Sequence, residues 1–174
     1  MRRAFTLLEM LIVITVLGIA GALVIPSMGQ TGVLRVQAAV RTIVADISVA
    51  QSDAVGFQEK RCVLFDVESS SYRLVAVPGD VIDAALNTLY DPTSRTGLYE
   101  VSFAEAMFGD ARITSADFDG DSALVFDALG GPVESLAGNT PSQQPGRVTV
   151  EGSGQSFTIT VEPFTGRVTV TRNQ

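Results

Sequence analysis

The feature that most limits what this chain can fold into is an almost wholly apolar run of 21 residues near its start, residues 5–25. Only Thr6, Glu9 and Thr15 interrupt it. As a helix rising 1.5 Å per residue, such a run spans about 30 Å, the thickness of a bilayer's hydrocarbon core. Arg2 and Arg3 precede it, and basic residues hold their end of a span in the cytoplasm. The expectation is therefore a single-pass anchor, with everything after Pro26 on the far side of the membrane. A secretory signal peptide is the competing reading: Arg2 and Arg3 as its basic start, Ala20-Gly21-Ala22 as its cleavage site. Two features oppose it. Glu9 falls inside the supposed apolar region, and Leu23-Val24-Ile25 carry that region past the supposed cut.

Glu9 is the residue that a plain anchor does not explain. A carboxylate in an apolar span costs a few kcal/mol unless it is neutralised or paired, so its presence points to a role. A subunit that packs its stem beside others gains from it, because a neighbour's free amino-terminal ammonium can pair with the acid. The alternative is a carboxylate near the headgroups that snorkels to water.

The stretch Ala4-Phe5-Thr6-Leu7-Leu8-Glu9-Met10-Leu11-Ile12-Val13 resembles the class III signal of type IV pilins and type II secretion pseudopilins. The resemblance implies that a prepilin peptidase cuts between Ala4 and Phe5 and methylates the new amino terminus on Phe5. Glu9 then takes the place of the family's glutamate, and Pro26 that of its helix-kinking proline. Ala4 stands where the family usually has Gly. Other pilins, the peptidase, an inner-membrane assembly platform and membrane lipid are the partners that this implies. The implied location is the cell inner membrane, with assembly into a periplasm-spanning pseudopilus or pilus.

Beyond Pro26 a helical pattern resumes at Val36, Val40, Ile43, Val44 and Ile47, with Arg35, Arg41, Thr42, Asp46 and Ser48 assigned to other faces. It runs to about Val55 and is ended by Gly56. The rest reads as strands. Residues 62–67 and 72–77 flank the turn Glu68-Ser69-Ser70-Ser71 as a hairpin, with Val63, Phe65 and Val67 on one face. Residues 78–109 are less regular, with a turn at Asp91-Pro92. Residues 123–127 form a short strand before Gly130-Gly131-Pro132, and 138–146 a loop. Residues 147–151, 157–162 and 167–171 close the chain as a meander. The division is thus a leader at 1–4, a transmembrane helix at 5–25, an amphipathic continuation at 26–56 and a β-rich globular part at 57–174. The fold class is α+β, a pilin fold in which a long amino-terminal helix packs on an antiparallel sheet.

Two later stretches resemble the GspH/FimT subfamily of pilin-like proteins, which includes the minor pseudopilin H of type II secretion. These are Val125-Phe126-Asp127-Ala128-Leu129-Gly130-Gly131-Pro132, and the hairpin from Phe157 through Thr165-Gly166-Arg167-Val168. The function this implies is that of a minor pseudopilin or pilin supporting protein secretion by filament assembly. The alternative is a competence-type minor pilin that binds DNA for uptake through Arg147, Arg167 and Arg172.

Charge argues against that alternative. The chain has 12 basic and 19 acidic side chains, for a net charge of −7. Loss of a leader holding Arg2 and Arg3 takes it to −9, and like charges repel phosphates. Nucleic acid is therefore not expected as a partner, and the arginines read as solvated strand ends.

Chemistry is equally constrained. The chain contains no histidine, which removes the commonest general base and metal ligand. Its single cysteine, Cys62, reads as a small buried apolar residue in a strand and forms no intrachain disulfide. No phosphate-binding loop or nucleophile elbow is present. No enzymatic activity and no cofactor are expected. Asp117, Asp119 and Asp121 alternate as calcium ligands do, but Gly120 falls at the wrong position for an EF-hand and Ala128 stands where its bidentate acid would. An Asp-Gly hairpin turn is the favoured reading, with a calcium loop of other geometry as the alternative.

Overall fold

The computed structural model describes residues 6–79 and 81–173, and the side chains of all of these except 22–30. One helix, α1 (Leu7–Phe57), dominates the first third and runs through Pro26 without interruption. Thr6 caps its start: its backbone is extended, and its Oγ1 accepts the Glu9 amide at 3.2 Å. The helix ends two residues later than its pattern implies. It passes through Gly56, and the left-handed residue that closes it is Gln58, whose amide donates to the Ala54 carbonyl. Gly56 is therefore not the cap.

Among the described residues, nine strands form two antiparallel sheets where one was expected. The first is ordered β3-β2-β1-β5-β6: β1 (Arg61–Asp66), β2 (Ser71–Ala76), β3 (Glu100–Ser102), β5 (Ala123–Phe126) and β6 (Pro132–Val133). The second is ordered β4-β7-β8-β9: β4 (Arg112–Asp117), β7 (Gly146–Gly152), β8 (Gln155–Val161) and β9 (Val168–Asn173). The hairpin read from alternation is present, with Val63 opposite Leu74 and Phe65 opposite Tyr72. The closing meander is also present, and β4 adds a fourth strand along β7. A four-residue helix, α2 (Ala84–Asn87), and β3 lie in the less regular stretch.

Helix α1 faces both sheets with one stripe. Val36, Ala39, Val40, Ile43, Ile47, Ala50 and Ala54 recur at spacings of three and four and are buried. They meet Val63, Phe65, Tyr72, Leu74 and Phe126 from the first sheet and Val148, Val150, Ile159 and Val161 from the second. A smaller cluster, Cys62, Val75, Val77, Val125 and Val133, fills the other face of the first sheet beneath Ile82 and Leu136. Cys62 is fully buried, and desolvation pushes its thiol up to about 12, which suits an inert packing residue.

Asp46 departs from the expected polar face. It shares the inward stripe with Ile43 and Ile47 and is buried. Tyr72 donates its hydroxyl to Asp46 Oδ2 at 2.5 Å, and Tyr99 donates to Oδ1 at 2.9 Å. Both carboxylate oxygens are thus satisfied, and the bonds tie α1 to β2 and to the segment before β3. Arg61 is the second buried charge: it is bonded to Asp53 and to Glu59 and stacks over the Phe57 ring at 5.3 Å. It pins the end of α1 to the start of β1.

Candidate functional site

The stem and the head half of α1 carry similar apolar residues in opposite circumstances. From Leu7 to Ile19 the large apolar side chains are exposed on every face; Leu7 is 91% accessible and Ile14 65%. No other part of the described chain packs on them. Contiguous exposed apolar surface of this extent marks a segment made for lipid or for a partner.

Of the three polar residues in the run, two need no external partner. Thr15 Oγ1 donates to the Leu11 carbonyl at 2.7 Å, which hides its hydroxyl within the helix. Thr6 Oγ1 is used in the cap. Glu9 forms no ion pair among the described residues. Its position in the first turn, three residues after a capping Thr, is favourable to the helix dipole and fits the capping-box pattern. That local gain does not require an acid of this kind in lipid, since Gln also serves at that position. Ala4 and Phe5 lie outside the described residues. So does the Pro26 side chain, although the backbone there is helical. Among the described residues no helix is long and apolar enough to cross a membrane. The expected span of 5–25 includes Phe5 and the side chains of 22–25, which lie beyond that description.

The head does not assemble the other candidates into sites. Asp119 (φ 55°) and Gly120 (φ 92°) form a tight two-residue turn, with Phe118 and Asp121 exchanging backbone bonds of 2.8 and 3.1 Å. Asp117 Oδ1 accepts the Gly120 amide, and Asp121 Oδ1 accepts the Ser122 amide. These carboxylates cap their own turn. Among the described residues no three His, Cys, Asp or Glu side chains converge as metal ligands. Asp119-Gly120 is thus the hairpin turn that the sequence favours.

The three arginines are separated by the register of the second sheet. Arg147 lies opposite Asp117 and Thr160, on the outer face. Arg167 is at the same end, its carbonyl accepting from the Glu162 amide. Arg172 pairs across from Phe157 at the other end, on the face turned toward α1. Five residues of strand place Arg172 about 16 Å from Arg167. No shared basic patch results.

What the two carboxyl-terminal motifs do bring together is Gln51, which the sequence reading passed over. Its Nε2 donates to the Gly130 carbonyl at 2.7 Å and to the Thr165 carbonyl at 3.0 Å. Gly130 and Gly166 have φ of 84° and 64°, and a Cβ on either would strike the helix. At Gly166 it would sit 2.5 Å from Gln51 Nε2. The glycines let two loops, one joining β5 to β6 and one joining β8 to β9, close on one amide of α1.

Comparison with known proteins agrees with this architecture. Residues 1–25 match the family model described as the prokaryotic N-terminal methylation motif. Sequence comparison with curated proteins gives no match. The fold matches that of the minor pseudopilin EpsH from the type 2 secretion system of Vibrio cholerae, with a TM-score of 0.52 over 79% of this chain and 97% of that one. Identity is 9%, so this match speaks for the fold alone. The chain thus begins with a stretch similar to the prokaryotic N-terminal methylation motif and has a fold similar to that of a minor pseudopilin.

Proposed function

We propose that the chain is a minor pseudopilin or pilin that works by assembling into a filament, in support of protein secretion. The observation that carries this reading is the stem, apolar on all sides, in which Glu9 has no ion-pair partner among the described residues. Residues 5–25 hold the precursor in the inner membrane with the head in the periplasm. A prepilin peptidase cuts after Ala4 and methylates Phe5. The platform then extracts the subunit, and the stem passes from lipid into the filament core at little hydrophobic cost, because both surroundings are apolar. Glu9 guides docking by pairing with a neighbour's amino-terminal ammonium.

Glu9→Val tests the central step. Membrane insertion of the variant stays intact, and its recovery in sheared filaments falls at least tenfold; recovery equal to the parent's removes the docking role. Mass spectrometry of the processed chain gives a methylated Phe5 terminus. A terminus at Leu23 refutes the filament reading.

A further inference from the structure

Helix α1 begins one residue after Thr6, and Thr6 itself is not helical. Its φ of −79° and ψ of 151° are those of extended backbone, and its Oγ1 accepts the Glu9 amide at 3.2 Å. Its carbonyl accepts the Met10 amide at 3.2 Å, the bond that opens the helical ladder. An α-helical bond joins an amide to the carbonyl four residues before it, and the three residues between must be helical. For the Ala4 carbonyl the donor is the Leu8 amide, and the three residues are Phe5, Thr6 and Leu7. With Thr6 at ψ 151° that ring does not close. The cap keeps the Ala4 carbonyl out of α1.

The residue at position 4 makes this matter. Alanine is the strongest helix former, whereas glycine, which the resembled family usually has there, is among the weakest. Arg3, Ala4 and Phe5 include neither glycine nor proline, so their own propensities do not prevent the helix from growing backwards. Thr6 is the stop.

We propose that Thr6 is a positioning residue for removal of the leader: it holds the start of α1 two residues beyond the Ala4–Phe5 bond and so leaves the Ala4 carbonyl open to attack. The proposal rests on the processing step given above. Hydrolysis adds water across that bond, the hydroxyl going to the Ala4 carbonyl carbon and the proton to the Phe5 nitrogen as the C–N bond breaks. Within a helix the Leu8 amide takes the carbonyl oxygen, and the following turn crowds the carbon that water must reach. Extended backbone at Thr6 removes both obstacles. The role of Thr6 is thus separate from that of Glu9, which acts after the cut.

The test follows release of residues 1–4 from the full chain in detergent micelles by the prepilin peptidase, with mass spectrometry of the products. Loss of a cap shifts the balance between helix and coil about fivefold. Chains that turn helical across the bond leave the pool the peptidase can bind. Thr6→Ala therefore raises KM by about two- to fivefold with kcat unchanged. Thr6→Ser and Thr6→Asn, which keep an oxygen acceptor, stay within about twofold of the parent. Hydrogen exchange at the Leu8 amide slows in Thr6→Ala, as the Ala4 carbonyl takes up its bond. The penalty of Thr6→Ala shrinks in an Ala4→Gly background, because glycine resists the helix by itself. A peptidase that reads the side chain at position 6 directly gives the same penalty in both backgrounds, and that result overturns the proposal. So does a Thr6→Ala chain with the parent's KM, or Ser and Asn variants as slow as the Ala variant. A parent left uncut after Ala4 refutes the processing reading together with the proposal, whereas parent and Thr6→Ala chains cut equally well refute the proposal alone.

Discussion

The two ends of α1 are built from the same residue types and put them to opposite use. In the head half, Val36, Ile43 and Ile47 fall on one stripe and are fully buried, with polar residues on the remaining faces. In the stem, Leu11, Ile12, Ile14 and Leu17 point in every direction and all stay exposed. A one-sided stripe finds its cover within the chain. An all-round apolar cylinder cannot, since a single head can shield only one side of it. Distribution around the helix, more than hydrophobicity itself, separates the half that stabilises the fold from the half that stays exposed.

The largest effect that breaks this symmetry is truncation at matched residues. Ile43→Ala empties a fully buried site and costs about 2–5 kcal/mol of head stability. Ile14→Ala, at a residue 65% exposed, leaves the melting temperature of the head unchanged. Thermal unfolding followed by tyrosine circular dichroism distinguishes them; equal losses would mean that the stem packs on the head after all.

A smaller effect sharpens the role of the glycines that close on the head half. Gly166→Ala places a Cβ 2.5 Å from Gln51 Nε2 and 2.9 Å from Phe126, at φ 64°. The cost is about 2–3 kcal/mol, from backbone strain and clash together. Gly154→Ala has a similar φ of 68° but open space around it, so it bears the strain alone, about 1 kcal/mol. Denaturant midpoints for the pair separate the two contributions.

The smallest effect concerns Asp46. Desolvation raises its pKa above the ordinary 3.8 against the lowering influence of the Tyr72 and Tyr99 bonds, with Asp91 adding a further push upward. A carboxyl raised in the folded state binds its proton more tightly there than in the unfolded chain. Its contribution is therefore full below the unfolded pKa and is lost as pH rises through the folded one. Asp46→Asn removes that dependence. As pH falls toward the ordinary carboxylate value, the parent gains stability relative to the variant. A constant difference over that fall in pH would place the Asp46 pKa at its unfolded value.

Much of this was legible in the chain, and the misses have physical causes. The stem and the hairpin were plain because unbroken apolarity and strict alternation at Val63, Phe65, Tyr72 and Leu74 are each tied to one geometry. Strand β4 was not, since a register shift between Ile113 and Ser115 breaks its alternation and Ile113 is its only fully inward apolar residue. Asp46 was placed outside by residue type, although its spacing from Ile43, Ile47 and Ala50 puts it on the inward stripe. Gln51 gave no signal of its own. Its importance comes from Gly130 and Thr165, 79 and 114 residues away, which only the folded chain brings to it.

That Gln51 is an amide has its own consequence. Of the polar joints between rod and head, the one at Asp46 answers to acidity and the one at Arg61 is ionic. The joint at Gln51 carries no charge and takes up or releases no proton over any ordinary range. Its grip on the two loops is therefore indifferent to acidity, whereas the contact at Asp46 is retuned by it.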